Sequence, residues 1–164
     1  MTENRRIVVT REFAASRAAV FRAWTVPSEL EWFLNPDQPR PDQPIEVDLR
    51  VGGAWTVPMV IDADTSYTTG GIYLEIVRDE RIVFAWGAED GWPKLDRADL
   101  GAGPIATLEF EDLDGDPASC RATMTLALPE TMAEPEVREW LSKGIGAGWR
   151  ATVERLTVPA TTAA

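Results

Sequence analysis

The C-terminal part of the chain carries the pattern that most limits the fold. From Pro135 onward, apolar side chains recur at spacings of three and four residues over about six helical turns. These positions are Val137, Trp140, Leu141, Ile145, Trp149, Val153 and Leu156. A helix with one apolar face has to cover an apolar surface elsewhere in the molecule. Because the residues before it alternate as strands do, the pattern predicts a long helix laid on a sheet.

Three glycines interrupt this helical pattern at Gly144, Gly146 and Gly148. Each costs roughly 1 kcal/mol relative to alanine inside a helix. The cluster therefore predicts a helix start, a kink or a close approach near residues 144–148.

Seven segments before this helix alternate apolar and polar residues and are separated by turn-forming residues, as strands are. Pro58 indicates an edge position or a bulge, and Gly70-Gly71 indicate a bend. The segments are 7–13, 45–49, 54–61, 67–77, 81–86, 105–111 and 119–128. They predict an antiparallel sheet of about six or seven strands.

Two short helices are expected after the first strand. Ser16 is placed to cap a helical run that Pro27 stops, and Pro27 can open a second short helix through Phe33. Residues 35–44 and 87–103 lack periodicity and predict loops. The fold class predicted is α+β, a curved antiparallel sheet around a long C-terminal helix. At 164 residues, we expect one domain over residues 1–158 and a disordered tail at 159–164.

The chain contains no histidine, which removes much of the chemistry available near neutral pH. Triads of the Ser-His-Asp type, zinc sites of the HExxH type and haem with a histidine ligand are excluded. Any catalysis has to use carboxylates, tyrosine, cysteine, lysine or arginine. No cofactor and no metal are expected.

The formal net charge of -11 would repel the phosphate backbone of a nucleic acid and an anionic membrane surface. Nucleic acid and membrane surfaces are therefore not expected as partners. Cys120 is the only cysteine, so no intrachain disulfide can form. Residues 1–13 have no uninterrupted apolar stretch and predict neither a signal peptide nor a membrane span, so a cytoplasmic location is expected. A homodimer is compatible with the sequence.

A series of short motifs runs along nearly the whole chain. They are Arg11-Glu12-Phe13, Val20-Phe21-Arg22-Ala23-Trp24-Thr25, Pro27-Ser28-Glu29-Leu30, Trp32-Phe33, Asp48-Leu49-Arg50-Val51-Gly52-Gly53-Ala54-Trp55, Gly71-Ile72-Tyr73-Leu74-Glu75-Ile76, Arg81-Ile82-Val83-Phe84 and Gly148-Trp149. In this order they resemble the branch of the SRPBCC superfamily that is similar to the C-terminal domain of the Hsp90 ATPase activator. The resemblance implies a START-like, helix-grip fold with a cavity between helix and sheet. In that superfamily such cavities receive lipids, polyketides or other apolar molecules, and some relatives have cyclase or hydrolytic activity.

Candidate ligand-binding residues are the large side chains on the predicted inner faces of the strands and the helix. They are Trp55, Val57, Met59, Tyr73, Phe84, Trp86, Ile145 and Trp149. The same residues can simply fill the interior, which is the usual role of an apolar stripe. The hydroxyl of Tyr73 could orient a ligand.

Other residues allow functional and structural interpretations. Asp48 and Arg50 could hold a ligand carboxylate, but a solvated pair is favoured. Asp112, Asp114 and Asp116 lack the glycine and glutamate that a calcium loop needs, so they predict a hairpin turn. Glu75, Glu109 and Glu111 could act as buried acids if they face the interior. Cys120 is expected to be a small core residue. Lys143 could form a Schiff base only if it is desolvated.

Three functions follow as hypotheses. The first is a module that binds a hydrophobic or amphipathic small molecule, without obligatory catalysis. The second is an enzyme of the polyketide cyclase type, with Glu75 or Tyr73 assisting proton transfer. The third is a chaperone-interacting protein like the Hsp90 activator.

Overall fold

A seven-stranded antiparallel sheet forms the body of the structure, a computed structural model that describes residues 5–158. The strands are β1 Arg6–Phe13, β2 Glu46–Val47, β3 Ala54–Asp62, β4 Thr65–Val77, β5 Arg81–Trp86, β6 Ile105–Leu113 and β7 Asp116–Ala127. Strands β2 to β7 pair in sequence, and β1 closes the far edge beside β7. The predicted fold class and strand number are confirmed.

The edge strand β2 is shorter than the predicted segment 45–49. Only Glu46 and Val47 pair with β3. The chain then turns at once, because the Asp48 N–H donates to the Ala54 carbonyl over 2.9 Å. Pro58 lies on β3 past the point where β2 ends, so this part of β3 is a sheet edge without a partner strand on that side in the described chain. The missing N–H of the proline costs no hydrogen bond of the sheet there.

The tight turns of the sheet use the residues that their backbone requires. Asp114 and Gly115 both have positive φ, 54° and 76°, between β6 and β7. This is the geometry of a two-residue hairpin turn, for which Asp-Gly is a preferred pair. The aspartates of this segment therefore form the predicted turn. Among residues 5–158, no group of three or more metal-ligating side chains is close enough to hold an ion.

The Gly70-Gly71 pair lies in β4 where the large rings pack. A Cβ atom on Gly70 would lie 1.9 Å from the Trp55 carbonyl oxygen. One on Gly71 would lie 2.5 Å from Phe84 Cδ1 and 2.6 Å from Trp55 Nε1. Both glycines are thus required for Trp55 and Phe84 to lie against the sheet. The register of β4 shifts between Tyr73 and Glu75 and not at the glycines, where a bend stays a prediction.

Helix α1, Arg17–Thr25, covers β6 and β7. Its first turn is capped as predicted, with Ser16 Oγ accepting from the Ala19 N–H over 3.2 Å. In place of a second short helix there are two 3₁₀ turns, Pro27–Glu29 and Glu31–Phe33. They turn the chain so that Phe33 reaches the C-terminal helical segment.

The predicted long C-terminal helix is divided into α2, Glu134–Ser142, and α3, Ile145–Glu154. The division falls at Gly144, whose φ of +78° is a left-handed conformation that favours glycine. The glycine cluster had predicted an interruption in this region.

Helix α3 is fixed to the rest of the molecule by two arginines. Arg11 Nη1 donates to the Val153 carbonyl over 2.6 Å. Arg155 Nη2 donates to the Phe33 carbonyl over 2.8 Å. The helix is therefore held to β1 on one side and to the second 3₁₀ turn on the other.

One hydrophobic cluster joins the inner face of the sheet, α1 and α3, and a smaller cluster of Leu128, Met132 and Val137 lies under α2. The assignment of residues 1–158 to a single domain stays a prediction. The predicted tail at 159–164 lies outside the described residues. No helix within residues 5–158 is long and apolar enough to cross a membrane.

Candidate functional site

A recess of about 210 Å³ lies between the concave face of the sheet and the start of α3. Its floor and walls come from β3, β4, β5, the 87–103 loop and the α2–α3 junction. The lining residues are Phe33, Met59, Tyr67, Thr69, Trp86, Trp92, Lys143, Gly144, Ile145, Gly148, Trp149 and Thr152.

Aromatic rings in edge contacts form most of the wall. The ring centroids of Trp86 and Trp149 are 5.3 Å apart, and those of Trp86 and Trp92 are also 5.3 Å apart. Phe33 meets Trp149 at 5.7 Å, and Tyr67 meets Trp92 at 6.5 Å. Interplanar angles of 71° to 89° make these edge-to-face pairs, the arrangement that ring quadrupoles favour. The wall is thus a connected set of rings.

Trp86 is fixed by a polar contact as well as by packing. Its indole Nε1 donates to Thr69 Oγ1 over 3.1 Å, and both side chains are buried. The bond satisfies a donor that would otherwise be costly to bury. The ring of Trp86 is therefore held in one orientation beside the recess.

The 87–103 loop brings Trp92 to the recess by backbone bonds to β4. The Gly87 N–H donates to the Gly70 carbonyl over 2.8 Å, and the Trp92 N–H donates to the Thr68 carbonyl over 2.8 Å. A Cβ atom on Gly91 would lie 2.0 Å from the Thr68 oxygen, so glycine is needed for this approach. The peptide bond between Trp92 and Pro93 is cis.

Helix α3 borders the recess with a glycine, which takes up no side-chain volume there. A Cβ atom on Gly148 would meet no heavy atom within 4 Å, and Gly148 lines the recess. Gly146, two residues earlier, lies against β1, since its Cβ would be 3.6 Å from Ile7 Cδ1. Of the two glycines, Gly148 leaves open volume and Gly146 allows close packing.

Two buried polar atoms in this region have no hydrogen-bond partner among the described residues, the Tyr73 hydroxyl and Trp149 Nε1. Burial, with a smaller effect of the nearby Asp48, raises the pKa of Tyr73 far above its ordinary value. Burial also raises the pKa of Tyr67. Both phenols therefore stay protonated near neutral pH and can act as hydrogen-bond donors.

The structure divides the eight predicted ligand-binding residues into two groups. Four of them line the recess, namely Met59, Trp86, Ile145 and Trp149. The other four, Trp55, Val57, Tyr73 and Phe84, are buried in the core beside it. Whether any of the eight binds a ligand stays a prediction.

The division follows position along each strand. Trp55, Val57 and Met59 alternate along β3, but the recess lies only at the Met59 end. Trp55 is enclosed between Phe33 and Phe84, with ring centroids at 5.5 Å and 5.2 Å. Alternation predicts the face of a strand but not the level at which packing leaves space.

Sequence reasoning did not place several lining residues at the site. Tyr67 and Thr69 lie two residues apart on β4, and that alternation was a usable signal. Trp92 lies in a loop without periodicity, so nothing in its sequence context marked it. Lys143 had been considered as a Schiff-base amine, but its side chain is exposed.

The remaining candidates lie elsewhere. Arg81 pairs with Glu75 and Glu109 at 3.0 Å and 3.3 Å, and all three are well exposed to solvent. Arg50 pairs with Asp48 at 2.8 Å, also on the surface.

The surroundings of Glu111 and Cys120 indicate structural roles for both residues. Glu111 pairs with Arg121 at 3.3 Å, and both side chains are exposed. Cys120 is fully buried, and burial is the main cause that raises its pKa to about 11. It is a core residue.

The fold and the recess define a helix-grip protein of the START-like class, with a small aromatic pocket under its C-terminal helix. The chain belongs to the family described as Activator of Hsp90 ATPase homolog 1-like protein, whose model matches residues 14–159. No sequence among the curated proteins matches the chain.

Solved structures with low sequence identity share the fold. Protein Ms6760 from Mycobacterium smegmatis superposes with a TM-score of 0.69 at 19% identity, over 94% of this chain and 90% of its own. A protein from Arthrobacter aurescens gives 0.70 at 22% identity, over 94% and 84%. CalU16 from Micromonospora echinospora gives 0.56 at 19% identity, over 92% and 73%. At these identities the likeness concerns the fold alone.

Proposed function

We propose that the protein binds a small apolar or amphipathic molecule in the recess under α3. The observation that carries this proposal is the open volume beside Gly148, walled by aromatic rings. Side chains in protein interiors normally pack without voids larger than a water molecule. A recess of about 210 Å³ with such walls is the kind of concave apolar site that small ligands occupy.

The polar groups of the recess suit orientation of a ligand. The phenol of Tyr67, a lining residue, stays protonated near neutral pH because burial raises its pKa. The Thr69 hydroxyl, which accepts from Trp86, retains its own hydrogen for donation. A few such groups among many apolar ones are typical of binding pockets.

Binding is favoured over cyclase-type catalysis by the placement of the carboxylates. Among the described residues, none of the side chains that line the recess is acidic. Glu75, which the sequence offered as a proton donor, is exposed and paired with Arg81. Tyr73 is buried beside the recess with a strongly raised pKa, so it is a poor general base.

The test uses neutral ligands and a variant that fills the recess. Thermal unfolding followed by circular dichroism is measured with indole or toluene. At ten times Kd a ligand adds about 1.4 kcal/mol, which raises Tm by roughly 3 to 6 °C for a chain of this size. The Gly148→Leu variant places a side chain in the open volume and is expected to lose this response.

Gly146→Ala is the matched control, since it changes the same helix on the face that packs on Ile7. It is expected to keep the ligand response of the natural chain. If neither compound shifts Tm at millimolar concentration, or if Gly148→Leu responds as fully as Gly146→Ala, the recess is not the binding site.

A further inference from the structure

The recess carries a cation on a strongly acidic protein. Lys143 is the one charged residue among those that line it in the described part of the chain. The chain as a whole has 27 acidic and 16 basic residues. A positive charge at the edge of this aromatic recess favours a ligand with a negative group.

The Lys143 ammonium has no counterion within the described chain. Its Nζ lies 5.1 Å from the Trp140 ring centroid, a cation–π contact that leaves its hydrogen-bond donors available. No carboxylate of residues 5–158 forms an ion pair with it. Acidic residues Asp96, Asp99 and Glu136 line the adjoining hollow, which shares Trp92 and Lys143 with the recess. Lys143 is thus positioned at the boundary of the aromatic recess with its charge uncompensated by a close partner.

The first turn of α3 adds positive potential at the same place. Gly144 and Ile145 line the recess, and Gly144 is the N-cap of the ten-residue helix. This first turn contains no acidic side chain, and no side chain of the described residues caps it. A helix N-terminus attracts anions through its unpaired N–H groups and its dipole. Lys143 and the helix end therefore favour the same kind of group.

The volume limits the apolar part of the ligand. An apolar cavity of roughly 150 Å³ holds one benzene ring. By proportion, about 210 Å³ takes roughly eight or nine non-hydrogen atoms, a substituted single ring or a fused pair. The rings of Trp86, Trp92 and Trp149, which pack edge to face on one another, suit a flat ring better than a flexible chain.

We infer that the recess recognises an aromatic carboxylate, with its ring between Trp86, Trp92 and Trp149 and its carboxylate at Lys143. This rests on the proposed function, which it makes more specific. The anionic group stays at the solvent-facing edge, where Lys143 can meet it without burial of either charge.

Calorimetric titration of the whole chain with indole-3-acetate and its neutral isostere indole-3-acetamide tests the inference. At low ionic strength the acid is expected to bind roughly three- to tenfold more tightly than the amide, the range for one exposed ion pair aided by a helix end. Added salt reduces the preference, because an exposed pair is screened.

Two lysine variants distinguish recognition of the carboxylate by Lys143 from an effect of the net charge of the protein. The chain has two lysines, Lys94 and Lys143, and Lys94 does not line the recess. Lys143→Gln is expected to remove most of the preference for the acid, leaving at most the part that the helix end supplies, and to change the affinity for the acid more than that for the amide. Lys94→Gln makes the same change in net charge and is expected to keep the preference.

The inference is overturned if the acid binds no better than the amide, if Lys143→Gln leaves the preference undiminished, or if neither compound binds. The neutral-ligand experiment with Gly148→Leu decides the wider proposal separately. Stabilisation by indole or toluene without an acid preference would support the proposed binding function. It would contradict the inference that the ligand carries a carboxylate.

Discussion

Trp86 and Thr69 are joined by a hydrogen bond of 3.1 Å from the indole Nε1 to the threonine hydroxyl, and both residues line the recess. The bond links the end of β5 to β4 at the point where Trp86 also meets the rings of Trp92 and Trp149. It is the polar contact that holds the aromatic wall in one orientation.

Thr69→Val should therefore destabilise the protein. Valine has nearly the same shape, but it leaves the buried Trp86 Nε1 without an acceptor, at about 1–3 kcal/mol. Urea unfolding measures the change. Thr69→Ser retains the hydroxyl and should keep the hydrogen bond. A loss of stability in Thr69→Ser without one in Thr69→Val would show that packing of the methyl group, and not the hydrogen bond, is what matters.

Gly144→Ala and Gly148→Ala should have opposite effects. Alanine at Gly144 has to adopt a φ of +78°, which costs about 1–2 kcal/mol for a residue with a Cβ atom. Alanine at Gly148 meets nothing within 4 Å and should stabilise α3 by up to about 1 kcal/mol. Thermal unfolding of both variants checks the signs. A stabilised Gly144→Ala would contradict the division of the helix at this residue.

Gly71→Ala should disturb the contact between Trp55 and Phe84. The new Cβ would fall within 2.6 Å of both rings, and overpacking of this kind costs typically about 1–3 kcal/mol. Near-ultraviolet circular dichroism should change with it, since both rings must move. Gly101→Ala is the control, because its Cβ would meet nothing within 4 Å.

Stability should fall in mild alkali partly because of Cys120. Burial raises the pKa of this thiol from 9.0 to about 11, so between these values the folded chain holds a proton that the unfolded chain releases. The contribution is complete below pH 9 and is lost as the pH rises through about 11.

The check compares the natural chain with Cys120→Ala by urea unfolding at pH 8.5 and 10.5, values chosen around that range. The variant is expected to be less stable at both pH values, because alanine leaves space at a fully buried site. It should lose less stability between them. An equal or larger loss in the variant would mean that the thiol does not contribute to the pH dependence.

Much of the fold could be predicted from the sequence because its signals are local. Alternation marks the strands, Ser16 marks the start of α1, and the Asp114-Gly115 pair marks a turn that needs positive φ. The sequence predicts where the C-terminal helix is interrupted but not how. The three glycines are compatible with a helix start, a kink or a close approach. Only the packed structure shows that Gly144 adopts the left-handed conformation.

The site was less predictable because a recess is what packing leaves open. Met59 and Val57 have the same pattern on the same strand, yet only Met59 reaches the recess. Trp92 is brought there by backbone bonds to Thr68. These depend on contacts between residues distant in sequence, for which a single sequence has no local signal.

The division of the C-terminal segment at Gly144 gives the two sides of the recess different supports. Lys143 follows α2, which packs on the small cluster around Met132 and, through Trp140, also on the main core. Trp149 belongs to α3 and is itself a member of the main core. Substitutions beneath α2 should therefore displace the Lys143 side of the recess more readily than the Trp149 side.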